Sequence, residues 1–422
     1  MDKDLFRRII LDNQQLVNRI PLVERAVDFE EKGNYVFVGV RQAGKSYMLY
    51  QRIQQLLNNG HSVEEIVFVS FDDERISGMK TEELDLILQA HRSLFDCRPI
   101  LFLDEIQNVE GWQHFARRLA NEKYQVYITG SNAKMLSRDI ATILGGRYWV
   151  LDVYPYSFED YLKAHGIVLQ KHWQYSRQQY DVARHFNDYF YYGGFPELTE
   201  VVAKRAWLTG IYNKIFFSDI VVRNNIRNEE ALRMTIRRLA ESVKQPISYN
   251  RISNLIKSKG VSTNPGTVMS YVSYLQDACL LFSMENYATK FVEKETVKKH
   301  YFVDNGLLNL FLVDPETSLL ENIVAIALHR KYDKEVYFYN KNVEVDFYIP
   351  GESLGIQVCY DLNDEQTLHR EAEALVKMKK AFGLNQMLMV SRDDERTLDY
   401  SGEEIKVVPV WKWLLQDVIS LA

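Results

Sequence analysis

At 422 residues the chain is too long for one ordinary domain, and 46% hydrophobic with 26% charged residues excludes a disordered or low-complexity chain. A net charge of −6 excludes a protein that coats nucleic acid over its whole surface, while leaving room for a local basic face. Cys97, Cys279 and Cys359 are too widely spaced for a metal-ligand pair or a disulfide framework, and no apolar run approaches the ~20 residues that cross a bilayer.

The start, Met1-Asp-Lys-Asp-Leu-Phe-Arg-Arg, lacks a signal-peptide pattern, so the expectation is a cytoplasmic protein without a membrane segment. Residues 4–30 read as an amphipathic helical lead-in. Tyr35 to Val38 is a short apolar run of strand type. Gly39-Val40-Arg41-Gln42-Ala43-Gly44-Lys45-Ser46 then fits the phosphate-loop pattern G-x-x-x-x-G-K-[ST] without a gap. Tyr47 to Leu57 reads as an amphipathic helix, so strand, glycine loop and helix follow in the order the motif requires.

The residue types match the chemistry. Backbone N–H groups of a tight loop and of a helix N-terminus point at phosphate oxygens. Gly39 and Gly44 allow the backbone angles and close approach that a Cβ blocks. Lys45 is placed to reach the β- and γ-phosphates, and the Ser46 hydroxyl is a hard oxygen ligand for Mg²⁺. The loop from Gly39 through Tyr47 is therefore the expected ATP cradle.

Ile66 to Phe71 is a second buried strand, and residues 81–95 are helical. Pro99 to Leu103 begins a third strand, followed at once by Asp104-Glu105. Asp104 is expected to hold Mg²⁺ through water. Glu105 is the candidate for orienting and activating the attacking water. Trp112 to Asn121 is helical, and Tyr124 to Thr129 is a fourth strand. Thr129, Ser131 and Asn132 at its tip either contact the γ-phosphate or cap the helix that begins near Ala133. Arg138 and Arg147 follow; each either neutralises transition-state charge, in its own chain or in a neighbouring copy of a homo-oligomer, or forms an ordinary surface ion pair. Strands alternating with helices indicate a parallel sheet with its ligand at the strands' carboxyl ends.

Val38-Gly-Val-Arg-Gln-Ala-Gly-Lys-Ser46, Leu101-Phe-Leu-Asp-Glu-Ile-Gln107, Thr129-Gly-Ser-Asn132, Leu144-Gly-Gly-Arg147 and Pro155-Tyr-Ser-Phe-Glu159 occur in the order found in one group. Tyr191-Tyr-Gly-Gly-Phe-Pro-Glu197 and Tyr301-Phe-Val-Asp-Asn-Gly306 extend the match. The chain resembles prokaryotic AAA-superfamily P-loop ATPases that carry a C-terminal domain called DUF4143. The resemblance implies a P-loop NTPase fold and ATP binding, and little about cellular task.

Residues 156–225 read as a helical lid, in which Lys214, Arg223 and Arg227 either reach phosphates or are simply solvated. Residues 226–298 read as a winged helix: a helix within Ile247–Gly260, a turn, a second helix from Gly266 to Ala278, and a strand from Leu280. The outward residues of the second helix, Ser270, Ser273 and Tyr274, include no base-reading cation. Lysines flank it instead, at Lys257, Lys259, Lys290, Lys294, Lys298 and Lys299, which suits DNA phosphate contact by the flanks.

Residues 299–422 read as an α/β domain whose element order resembles the PD-(D/E)xK nuclease fold. By that resemblance Glu321 and Asp346 match the first two acids of the nuclease site. Gln357 stands where the second acid of the strand is expected, and Cys359 where the lysine is expected. A neutral amide and a thiol are poor substitutes, so the expectation is a nuclease-like shape without cleavage.

The expected fold class is thus α/β: a P-loop parallel-sheet domain (1–155), a helical lid (156–225), a winged helix (226–298) and a nuclease-like domain (299–422). The expected activity is an ATP-hydrolysing switch that couples nucleotide state to the two binding modules, with DNA or another protein as partner. A DNA-binding regulator with structural ATP and a metal-dependent nuclease are the alternatives.

Overall fold

The computed structural model describes residues 1–17, 19–131, 142–288 and 297–416. The chain divides into two compact units, one of Met1–Tyr154 with Asp277–Cys279, the other of Pro155–Gln276 with Leu280–Ala422.

The first unit is built on five strands: β1 Tyr35–Val38, β2 Ile66–Ser70, β3 Ile100–Asp104, β4 Gln125–Gly130 and β5 Trp149–Asp152. All pair in parallel, in the order β2-β3-β4-β1-β5. β1 and β3 are buried along their whole length. Both faces of such a sheet are covered, which is why these strands read as apolar runs and not as alternations. Val36, Val38, Val67, Val69, Leu101 and Leu103 face one core with Phe6, Ile9 and Ile10 of helix Lys3–Val17 and with Trp112 and Phe115 of helix Trp112–Asn121. Tyr35, Phe102 and Tyr127 stack with one another, at ring centroid distances of 5.7 and 4.8 Å from Tyr127. Arg52 lies over Tyr127 and donates to its hydroxyl at 2.8 Å.

The expected helical lead-in is shorter than its sequence suggests. The helix stops at Val17, and residues 20–30 are not helical. Pro21 lacks the N–H a continuing helix needs and biases the residue before it towards extended angles.

The second unit opens with helices Phe158–Ala164, Gln178–Tyr192 and Lys204–Lys214, the last running into a π-helical turn at Ile215–Val222. Ser157 and Asp160 form a reciprocal capping box at the first helix. Gly193 and Gly194 are needed for close approach. The carboxylate of Asp304 accepts the Gly194 N–H at 2.8 Å, and a Cβ on Gly194 would meet the Tyr156 carbonyl at 2.3 Å.

Helices Glu229–Glu241, Tyr249–Ser258 and Pro265–Asp277 follow. Nine strands then form one sheet among the described residues: β6 Ile247–Ser248, β7 Leu281–Asn286, β8 Val297–Phe302, β9 Tyr337–Asn340, β10 Glu344–Ile349, β11 Leu354–Cys359, β12 Gln386–Ser391, β13 Arg396–Tyr400 and β14 Glu403–Pro409. Their order is β13-β14-β12-β11-β10-β9-β7-β8-β6. The 298/299 boundary read from the sequence therefore falls inside β8, and β7 pairs in parallel with β9, so both flanking segments share one sheet. Helix Glu316–Tyr332 is buried at ten positions and helix Glu365–Phe382 packs its apolar stripe against the sheet.

Candidate functional site

β1 delivers the chain into the phosphate loop, and helix Lys45–Asn58 leaves it. Gly44 caps that helix in the left-handed region at φ 95°, and Gln42 is also left-handed at φ 62°. A Cβ at Gly39 would lie 2.0 Å from the Val153 carbonyl oxygen, so only glycine fits where the loop passes the end of β5. The Arg25 guanidinium braces the loop from the non-helical segment. It donates to the carbonyls of Ala43 at 2.9 Å and Tyr154 at 2.8 Å.

Lys45 is only 4% exposed. Its ammonium donates to the Gly39 and Val40 carbonyls at 3.1 and 3.2 Å and lies 3.8 Å from Glu105 Oε1. The Ser46 hydroxyl donates to both oxygens of Asp104, at 3.0 and 2.9 Å. Thr129 Oγ1 donates to Asp104 Oδ1 at 2.6 Å and accepts the Glu105 N–H at 2.8 Å, and Ser70 Oγ reaches Asp104 Oδ2 at 3.4 Å. The tips of β2 and β4 and the start of helix Lys45–Asn58 thus converge on the carboxylate at the tip of β3. Burial pushes the Asp104 carboxyl up to about 6, against the pull of the Thr129 and Ser46 hydrogen bonds.

Glu105 follows in the left-handed region at φ 53°, and Gln107 Nε2 donates to its Oε2. Ser131 is buried at the β4 tip, whereas Tyr47 is 54% exposed with its ring edge on Tyr50. Val40 and Ala43 are buried, and Arg41 and Gln42 are half-buried.

Two expectations change. Arg147 is exposed and donates to the carbonyls of Leu144 and Gly145 in its own turn. It precedes β5, and its carbonyl accepts from Asn34, just before β1. That is the amino edge of a parallel sheet, opposite the phosphate loop, so Arg147 does not reach the site of its own chain. Asn132 and Arg138 lie outside the described residues. Sequence reading missed Arg25 and Ser70, which reach the site only through the fold.

The lysine flank also changes. Lys257 and Lys259 are exposed, but Lys298 pairs with Glu285 at 3.2 Å and the Lys299 side chain is fully buried; Lys290 and Lys294 lie outside the described residues. Glu321 and Asp346 do converge, both on Lys299. Gln357 and Cys359 offer nothing to a ligand there. The Gln357 amide is hydrogen-bonded at both ends, and Cys359 Sγ donates to the Asp361 carbonyl at 3.1 Å, with burial raising the thiol to about 11.

The fold and site of the first unit are those of a P-loop AAA ATPase domain: residues 31–162 match the AAA domain family. Residues 183–317 match a domain of unknown function, DUF8612, whereas the sequence resemblance implies DUF4143 for residues 299–422. The chain belongs to the family of the uncharacterized protein MJ1544 of Methanocaldococcus jannaschii, with 32% identity over 431 residues, 98% of this chain and 96% of that one. An uncharacterized protein of Haemophilus influenzae is 29% identical over 416 residues, covering 96% of this chain and 100% of its own. Among solved structures, the Walker-type ATPase PABY2304 of Pyrococcus abyssi aligns at 14% identity and TM-score 0.42, over 71% of this chain and 100% of that one. Among the described residues no helix is long and apolar enough to cross a membrane.

Proposed function

We propose that the chain is an ATP-driven molecular switch that binds ATP with Mg²⁺ in the first unit and hydrolyses it slowly. The observation that carries this reading is the convergence of Lys45, Ser46, Asp104, Glu105 and Thr129 at the carboxyl edge of the parallel sheet. The hard oxygens of Ser46 and Asp104, within 3.0 Å of each other, suit Mg²⁺, which would neutralise charge on the β- and γ-phosphates. Lys45 exchanges the Gly39 and Val40 carbonyls for phosphate oxygens. Glu105, released from Lys45, orients the water and takes its proton. Thr129 ties the Asp104 carboxylate to the Glu105 backbone, so a change at the γ-phosphate reaches the tip of β4. Phosphate release by wild type, Lys45→Ala and Glu105→Gln tests the reading. Equal release from all three removes it.

A winged-helix role for residues 226–298 is a second reading. It is supported by the order helix, β6, helix, helix, β7, β8, with β6 and β7 each antiparallel to β8. With Lys299 buried, the lysines of this flank left for DNA contact among the described residues are Lys257 and Lys259, and the affinity must fall steeply with salt. Anisotropy titrations at two salt concentrations test it; no binding at low salt excludes it.

A further inference from the structure

A divalent cation needs several carboxylate or carbonyl oxygens turned towards one point. In the second unit the acids of the nuclease-like frame do gather. Glu321 comes from helix Glu316–Tyr332, and Glu344 and Asp346 come from β10. They border an open cleft of about 830 Å³, so a hydrated ion has a way in.

With Lys299 seated between them, these residues nevertheless do not fit a metal. Gln357 is 1% exposed and its amide is spent: Oε1 accepts the Asp346 N–H at 2.8 Å, and Nε2 donates to the Glu344 carbonyl at 2.9 Å and to Glu371 at 2.6 Å. Asp346 Oδ2 accepts the Val358 N–H at 3.0 Å, and Glu321 Oε1 accepts the Tyr301 hydroxyl at 2.8 Å. Among the described residues no group of three His, Cys, Asp or Glu is arranged to hold a metal ion.

A cation is already present. Lys299 Nζ lies 3.0 Å from Glu321, 3.2 Å from Asp346 and 3.5 Å from Glu344, so the ammonium hydrogen-bonds two carboxylates and pairs with a third. The ammonium enters from β8, a different strand from the one that carries the lysine in the nuclease pattern. Strand alternation puts Lys299 on the same face as Tyr301, pointing into the cluster.

We propose that the Lys299 ammonium is a built-in cation occupying a latent divalent-cation site, which makes the second unit metal-independent and leaves it without phosphodiester cleavage. The ammonium draws β8, β10 and helix Glu316–Tyr332 together, the work a bound ion does in a metal-held frame. Removing it leaves three carboxylates round one cation-sized gap, open to the cleft.

The test uses the full chain without nucleotide, so its outcome is separate from that of the ATPase reading. Melting temperatures are measured in chelator and in Mn²⁺ for wild type, Asp346→Asn, Lys299→Ala and Lys299→Ala/Asp346→Asn. The expected result is that wild type and Asp346→Asn respond alike to Mn²⁺, that Lys299→Ala melts lower in chelator and recovers most of the loss in Mn²⁺, and that the double variant does not recover. If Lys299→Ala folds only with Mn²⁺, that also supports the proposal. A Mn²⁺ response of wild type that Asp346→Asn abolishes, or a Lys299→Ala protein indifferent to Mn²⁺, overturns it. Equilibrium dialysis of Mn²⁺ against wild type and Asp346→Asn gives the same decision without the lysine variant: binding lost in Asp346→Asn overturns the proposal, and equal binding supports it.

Discussion

Each unit buries a lysine ammonium among oxygens, and the two are held in opposite ways. Lys45 rests on two neutral carbonyls at 3.1 and 3.2 Å, with its nearest carboxylate at 3.8 Å. Lys299 is gripped by three carboxylates, two of them within 3.2 Å. Carbonyl contacts are readily exchanged for phosphate oxygens, whereas a desolvated ion pair is not given up without leaving charges unpaired. Each lysine also lies near an acid that burial makes reluctant to ionise: Asp104, pushed up to about 6, and Glu321, pushed upward by burial against the pull of Lys299. On the proposed function, the first lysine is held for a ligand, while the second is committed to the fold.

The sharpest way to break this contrast is Lys299→Met. Unpairing buried carboxylates is expected to cost about 3–5 kcal/mol, read in denaturant unfolding of the full chain, with ATP uptake by the folded fraction unchanged. A neutral result would mean that Lys299 is no more committed than Lys45. Next comes Glu105→Gln. Loss of the base should lower turnover by ~10²–10³-fold, while ATP affinity and melting temperature stay near wild type.

A third effect comes from His300, beside Lys299 on β8. Burial holds its imidazole down to about 4, with nearby Lys298 adding to the effect. The unfolded chain, with an ordinary value near 6.5, binds a proton first as pH falls. The histidine's contribution is therefore complete above pH ~6.5 and is lost towards pH ~4, by about 3 kcal/mol. Asp304 and Glu321, both raised by burial, act in the opposite sense, so the difference between wild type and His300→Gln isolates the histidine. Parallel pH profiles would show that this strand is wetter than its packing. The smallest effect expected is for Ser157→Ala, which removes half of a capping box: about 1 kcal/mol in the same unfolding assay.

The nucleotide site was legible because its key residues are contiguous. Gly39 to Ser46 and Asp104-Glu105 each sit on one turn or one strand tip, and their spacing carries the chemistry. Arg25 was not legible, since it reaches Ala43 from a segment whose apolar spacing imitates a helix until Pro21 interrupts it. For Arg147 the reading within its own chain was not legible, because closeness in sequence to the β4 tip conceals a return to the far edge of the sheet. In the second unit Glu321 and Asp346 were read as a pair and do meet, but the cation between them, Lys299, comes from β8 and not from the strand of Gln357 and Cys359. The alternation of Val297, Lys299 and Tyr301 along β8 was the available signal, and it was outweighed by reading the consecutive lysines as a flank for DNA phosphates.

The continuity of the second sheet bears on how the molecule can be dissected. A gene cut at residue 299 would leave a fragment lacking β6, β7 and the start of β8, with the flank of β9 stripped of its neighbour. Bare strand flanks recruit other chains, so such a fragment is expected to precipitate or pair with itself. Excision just after Tyr154 cuts no strand of either sheet, and it parts the first unit only from its short Asp277–Cys279 segment.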